Sequence, residues 1–537
     1  MIKIIEQLVL FLYLLPFLTA LCCMFPNFRH FCFAGMIYFT SNEYSITAGY
    51  MKWTGTAFGY TFTAVYFFAI PLLLSMLLSS RYKVRLFPPG SFFYLLYYFA
   101  ILLSGVNAIH MQQWGFEVYK MFWMYTVFLA AFNYMNNSKN LILFTYMVCG
   151  ILSFLFIYGL YLKYRMGLFQ LHVTFPHQNS FCLYLELFGL LALGVLMNEN
   201  ISNKLFLLSL FAFVGSLVLI ILTYSRGGLV IFFSGIAVVC AFSILVNGFS
   251  IRRLLLMLIG FVVVLSIIGY ALPRIIQRFE NASPSSKLTR IYLAIAAKRI
   301  ANDYKLGVGA NNFSEYSGYA RDYARELYAS PGYRNETGRG GIVETIYLLV
   351  AAECGWWGLG TLILWFLYYY FSSLISIFVL RKKPCSGLMI GVFGGLTCNY
   401  FHSTLEWVLK QPNNFSGLMV TYALIAVVAV NRKNIKAAYQ RSLEREKSAK
   451  KIFAPSLAPA PASTPAPAST PAPASSPAPA SSPAPEESPS PEESPVPAST
   501  PAPEESPIPA ESPVPAELAE SAGGSSAPSE TTGLPNL

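Results

Sequence analysis

The chain has 537 residues, 55% of them hydrophobic and only 12% charged, with a formal net charge of +11. A water-soluble chain of this length does not carry so much apolar side chain, so the composition excludes an ordinary soluble enzyme and points to helices that lie in lipid. The charge is divided: residues 454–537 hold ten Glu and no Lys or Arg, which leaves the preceding 453 residues with a balance of +21. Such a body suits anionic lipid headgroups or an anionic lipid-linked substrate, although basic loops that only set topology give the same balance.

In chain order, apolar runs fall at about 6–24, 59–79, 91–107, 119–134, 141–162, 180–197, 205–222, 229–246, 254–272, 355–380, 385–403 and 414–431. Each is about long enough to cross a hydrocarbon layer of roughly 30 Å, so the sequence predicts an all-α polytopic bundle of about twelve transmembrane helices over residues 1–431. The first run lacks a small-x-small cleavage site and reads as a retained helix. With the N-terminus inside, Arg81, Lys83, Arg85, Lys139, Lys204, Arg252, Arg253, Arg381, Lys382 and Lys383 all fall in cytoplasmic loops, and the C-terminus is cytoplasmic too. The nine cysteines sit mostly in apolar runs with no zinc-like spacing and read as small hydrophobes.

This topology places one large periplasmic loop at 273–342, and loops of that length are usually functional or disordered. A helix inside it would carry Lys287, Arg290, Ala294, Ala297 and Ala301 on one face and Leu288, Ile291 and Ile295 on the next. The basic, small-residue face could approach a phosphate-bearing lipid, or it could simply be solvated. After the last run, Arg432–Phe453 reads as a basic juxtamembrane helix, and 454–537 repeats Pro-Ala-Pro-Ala-Ser and Pro-Glu-Glu-Ser-Pro units. That composition cannot bury enough surface to offset ordering entropy and predicts a disordered cytoplasmic tail.

Three polar segments interrupt the apolar pattern in a fixed order. Thr223-Tyr224-Ser225-Arg226-Gly227-Gly228 places an arginine and a glycine pair at a helix mouth, where charge is costly and usually functional. Leu288-Thr289-Arg290-Ile291-Tyr292 leads into Leu306-Gly307-Val308-Gly309. Val343-Glu344-Thr345-Ile346-Tyr347-Leu348 leads into Glu353, Gly355 and Gly358. Together, over roughly residues 165–415, they resemble the O-antigen ligase / O-antigen polymerase superfamily. Thr174-Phe175-Pro176-His177-Gln178-Asn179 is similar to a further turn of that family facing the same outer cavity.

The resemblance implies a membrane glycosyltransferase of a bacterial inner membrane with its active site facing the periplasm. Its donor would be an undecaprenyl-diphosphate-linked glycan, and its acceptor lipid A-core or another lipid-linked glycan. It implies that Arg226 and Arg290 hold the donor diphosphate, as two planar guanidinium forks can. Neither a metal motif nor a cofactor-binding or nucleic-acid-binding signature is visible, and metal-independent transfer needs such a clamp for the departing charge. The family's ligases usually open the third segment with His-Asn, where this chain has Glu344-Thr345. The substitution shifts the reading towards a polymerase and makes Glu344 the candidate general base, the alternative being a structural ion pair with Arg226, Arg290 or Arg339. His177 or His172 could take over the missing histidine's role, and His177, Asn179, Glu353 and His402 are candidate cavity residues. His402 and Glu406, four residues apart, could meet on one helix face. A transporter or lipid-linked glycan flippase is the reading from another class, but it would call for internal repeats or charges at the bilayer midplane. A family relative that glycosylates pilin-like proteins is a third possible function.

Because the tail can form no pocket, removing residues 456–537 is expected to leave transfer activity largely intact. A truncated protein that inserts normally in the membrane but loses turnover would assign the tail a role.

Overall fold

The computed structural model describes residues 2–51, 55–80, 82–198, 201–258, 284–329 and 341–453, together with isolated positions between 260 and 269. Most of the expected run at 254–272, Arg339 and the tail at 454–537 lie outside the described residues, as does the side chain of Lys287. The described helices are α1 (Ile2–Met24), α2 (Pro26–Phe39), α3 (Ala64–Leu77), α4 (Ser91–Ser104), α5 (Met111–Met135), α6 (Ser138–Tyr164) and α7 (Gln178–Asn198). They continue with α8 (Asn203–Leu222), α9 (Arg226–Asn247), α10 (Pro284–Asp303), α11 (Arg325–Tyr328), α12 (Ile346–Val379), α13 (Ser386–His402) and α14 (Pro412–Phe453). Among the described residues, six helices are long and apolar enough to cross a membrane: α6, α7, α8, α9, α12 and α14.

Two elements differ from the sequence expectation. Helix α2 starts with Pro26 in its first turn, where a missing N–H costs nothing. A short antiparallel hairpin pairs β1 (Ser45–Ala48) with β2 (Tyr60–Thr63), with Ser45 opposite Thr63. Its residues are largely β-branched or aromatic, which favours a pleated strand. The apolar run expected from 59 therefore begins as a strand and turns helical only at Ala64.

Helix α7 is the centre of the bundle: every residue from Ser180 to Met197 is buried. It packs most extensively against α13, and glycines set the approach. A Cβ on Gly391 would press on the backbone of Leu190 and Leu191, and one on Gly395 on the backbone of Leu187. From the other side, a Cβ on Gly194 would overlap the backbone of Gly387 and Gly391. Small residues one turn apart let two helix backbones come close where apolar burial offers no driving force between helices. Helix α9 joins the pair through Gly235, which leaves room only for Cys398 and Leu190.

Helix α12 is broken inside its apolar length. Gly355 has φ +74° and ψ 171°, a left-handed conformation that ends the regular helix there. The carbonyls of Ala352 and Glu353, which in a continuous helix would accept from residues 356 and 357, accept instead from Val308 N–H at 3.1 Å and Gly309 N–H at 3.0 Å. Gly307 (φ +78°) and Gly309 (φ +93°) carry the turn that reaches them. A Cβ at Gly307 would overlap the Glu353 carbonyl, and one at Gly355 the Lys305 carbonyl. The glycines of the second and third sequence segments thus dock on one another.

Beneath that joint lies a buried ion network. Lys410 Nζ sits 2.7 Å from Glu353 Oε2 and 3.5 Å from Glu117 Oε1, and Lys120 Nζ sits 2.6 Å from Glu117 Oε2. Lys120 also donates to the Lys410 carbonyl at 3.0 Å. Two cations and two carboxylates balance, which is the condition for keeping such groups out of water.

The loop above has its own small core of Leu293, Ala297, Ile300, Val308, Phe313 and Leu349. Ala297 and Ala301 are buried while Leu288, Ile291 and Ile295 are exposed. The small-residue face of α10 therefore points inward, because alanines allow close packing on α12, and it is not the face offered to lipid. Gly307→Ala is expected to destabilise the protein by at least about 1–2 kcal/mol from the left-handed backbone alone, with the steric overlap added. A lowered melting temperature in detergent measures this; an unchanged one would mean that the joint adapts.

Candidate functional site

The N-termini of α7 and α9 and the C-terminus of α13 meet at one end of the bundle. Ser225 caps α9, its Oγ accepting from Gly228 N–H at 3.2 Å, as a serine at that position commonly does. The same hydroxyl donates to Asn179 Oδ1 at 2.8 Å, at the first turn of α7. Asn179 Nδ2 in turn donates to Glu406 Oε1 at 2.5 Å. Tyr224, at φ +52°, makes the turn that lets α8 end and α9 begin here.

Arg290 reaches this chain from α10. Its Nη2 lies 3.3 Å from Glu406 Oε1 and also contacts Glu344 Oε2, so one nitrogen bridges two carboxylates from different segments. Glu344 precedes α12 by two residues, and its side chain is 32% exposed against 11% for Glu406. Burial pushes the Glu344 carboxyl up to about 7; the neighbouring Glu406 charge adds to the rise, and Arg290 opposes it. Burial likewise raises Glu406, against the pull of Arg290 and His402. Two carboxylates around one guanidinium titrate as a unit, and one of them is poised to hold a proton near neutrality.

Arg226 is the first residue of α9 and is exposed, at the positive end of that helix. The adjacent Gly227 lies beside Leu405, whose neighbour is Glu406, so Arg226 and Arg290 border the same turn. His177 is exposed just before α7, and its Nδ1 accepts the Asn179 N–H at 3.2 Å. His172 Nδ1 lies 2.7 Å from the Phe175 carbonyl within the same turn.

Two expected contacts are redistributed. His402 does not pair with Glu406: its Nδ1 is 2.7 Å from Glu186 Oε1, and both side chains are buried. The helix ends at His402, and the chain turns through Ser403–Leu405 before reaching Glu406, so spacing along a helix no longer applies. Glu353, two turns into α12, lies in the Lys410 network and holds the joint. Sequence reasoning gave Ser225 no role of its own and gave Glu406 the wrong partner, His402 in place of Arg290 and Asn179. A serine directly ahead of an apolar run is a signal that could have marked the Ser225 cap, whereas nothing local marks Glu406 as the second partner of Arg290. Among the described residues there is no cluster of three or more His, Cys, Asp or Glu that could hold a metal ion.

Residues 211–363 match the family model Wzy_C, described as O-Antigen ligase. The match spans Arg226, Arg290, Glu344, Glu353 and Gly355 and does not reach Asn179, His402 or Glu406, so the similarity to the O-antigen ligase family rests on this segment. No curated protein matches the chain.

The carboxylate pair makes a spectroscopic prediction. Glu406→Gln removes a like charge and is expected to lower the Glu344 midpoint from about 7, whereas Arg290→Ala removes the counter-charge and raises it. Infrared titration of the carboxyl band follows both shifts, and a midpoint indifferent to both substitutions would rule out the coupling.

Proposed function

Starting from an O-antigen ligase segment in a helical membrane protein, a family of surface polysaccharide biosynthesis, we propose that the chain transfers a glycan from an undecaprenyl-diphosphate donor to an acceptor hydroxyl. The observation that carries the reading is the bridge from Arg290 to Glu344 and Glu406, beside the α9 N-terminus that bears Arg226. It brings a guanidinium suited to diphosphate oxygens and a carboxylate with a raised pKa to one polar end of an apolar bundle.

In this reading Arg226 and Arg290 hold the diphosphate oxygens, and the positive end of α9 adds to their field. Glu344, as a carboxylate, takes the proton of the acceptor hydroxyl while its oxygen bonds to the anomeric carbon. The bond from that carbon to the phosphate oxygen breaks, and the electron pair leaves with the diphosphate, whose growing charge the two guanidinium groups stabilise. Glu406 and Asn179 are positioning residues: they aim Arg290 and tie it to the α9 cap.

The acceptor we favour is another lipid-linked repeat unit, which makes the chain a polymerase, because Glu344-Thr345 stands where the family's ligases usually have His-Asn. Transfer to lipid A-core is the second reading. We place the reaction on the periplasmic side of a bacterial inner membrane with both termini cytoplasmic, as the Lys/Arg distribution supports.

Arg226→Ala and Arg290→Ala are expected to abolish product in protein that still accumulates in the membrane, and Arg290→Lys to rescue poorly, since a point charge cannot make a two-pronged contact. Glu344→Gln is expected to lower transfer by about 10²–10⁴-fold with donor binding kept. Wild-type transfer should fall as pH drops through about 7, where Glu344 takes up a proton. Full activity in Glu344→Gln would remove it from the mechanism, and loss of the folded protein would make it a structural partner of Arg290. Product length separates polymer growth from single transfer to a lipid A-core acceptor.

A further inference from the structure

At the end of the bundle opposite Arg290 there is a cavity of about 740 Å³ between α6, α7, α13 and α14. The helices themselves fix its place. Helix α7 carries Asn179 at one end and Val195, which lines the cavity, at the other. Helix α13 runs from Leu388 in the cavity wall to His402 near the candidate site, and α14 lines the cavity with Val428 and Asn434 well beyond its start. From Asn179 to Val195 the helix rises about 24 Å at 1.5 Å per residue, so the two regions lie at opposite sides of a bilayer-sized layer.

The wall is mostly apolar, and none of the twenty residues that line it is acidic. Its polar members include Asn136 and Asn431, and Asn431 Nδ2 donates to Asn136 Oδ1 at 2.6 Å. Exposed Lys139, Lys204, Lys433 and Lys436 each stand within two residues of a lining position, such as Leu141, Leu205, Asn434 and Ile435. An apolar wall of this size is a poor container for water and a good one for an acyl chain, and basic side chains around it attract a phosphate.

We propose that this cavity binds an anionic phospholipid of the leaflet opposite the candidate transfer site, its acyl chain against Leu141, Leu388 and Val428 and its phosphate at Lys204 and Lys433. The proposal is independent of the reaction assigned above. The lysines stand beside lining positions of α8 and α14, and the basic run Arg432–Phe453 forms the end of α14, so charge selects a net-anionic headgroup over a zwitterionic one.

The test uses the full chain in nanodiscs containing phosphatidylglycerol and phosphatidylethanolamine, extracted and weighed by native mass spectrometry. Wild-type protein should retain phosphatidylglycerol in preference to phosphatidylethanolamine. Leu388→Trp should abolish retention by filling the cavity. Lys204→Ala and Lys433→Ala, which change only exposed side chains, should each lower the preference about fivefold, the ratio that corresponds to roughly 1 kcal/mol per lysine near an anionic headgroup. Equal retention of the two lipids, or retention unchanged in all three variants, would overturn the proposal.

Discussion

The break in α12 at Gly355 is the constraint on which the rest of the site depends. A continuous helix would satisfy the carbonyls of Ala352 and Glu353 internally, and the turn of Gly307–Gly309 would have nothing to bond. With the helix interrupted, those carbonyls accept from Val308 and Gly309, and the C-terminal end of α10 is fastened to the membrane bundle. Arg290 is on that helix, and Glu344 immediately precedes the helix that receives it. The ion network of Glu353, Lys410, Glu117 and Lys120 lies directly under the break. Removing one member would leave an uncompensated charge in the interior, which costs about 3–5 kcal/mol.

The second fixed element is the close contact of α7 with α13, where Gly194, Gly391 and Gly395 leave no space for side chains. It holds the first turn of α7 beside the end of α13, and so holds Asn179 beside Glu406. Asn179 then couples Glu406 to the Ser225 cap of α9. Arg226 and Arg290 are about 64 residues apart in sequence, yet a short chain of hydrogen bonds from Ser225 through Asn179 to Glu406 joins their neighbourhoods. The site is electrostatically balanced in a way that a ligand can upset. Arg290 serves two carboxylates, and in the proposed reaction an anionic donor competes with both for the same guanidinium.

Much of this architecture was legible in the sequence. Uninterrupted apolar runs of about 18 residues or more marked α6 to α9, α12 and α14, because the hydrocarbon thickness dictates their length. The three segments around Arg226, Arg290 and Glu344 carried a family resemblance that agrees with the match over residues 211–363. Gly307, Gly309 and Gly355 were visible as glycines of the second and third segments, while their positive φ, which Gly358 of the same motif does not share, shows only in the fold. Arg290 could be named as one of three arginines able to meet Glu344.

Other features were decided only in three dimensions. Periodicity placed Ala297 and Ala301 on one face of α10 but could not say whether lipid or protein covers it; α12 does, and Leu288, Ile291 and Ile295 face outward. Helical spacing paired His402 with Glu406, but α13 stops at His402, which pairs with Glu186 on α7 instead. Glu353 read as a cavity residue, yet its partner Lys410 arrives from a turn 57 residues later. Glu406 joins the site only because the glycine contact of α7 and α13 carries it next to Asn179 and Arg290. Local sequence determined where long apolar helices form and which residues can bear charge at their ends, since these follow from hydrocarbon thickness and solvation, while the break at Gly355 and the strand at Tyr60–Thr63 came from the fold. Which charges meet was decided by the packing of helices distant in sequence, because a carboxylate's partner and its proton affinity are set by whatever the tertiary fold brings within a few ångströms of it.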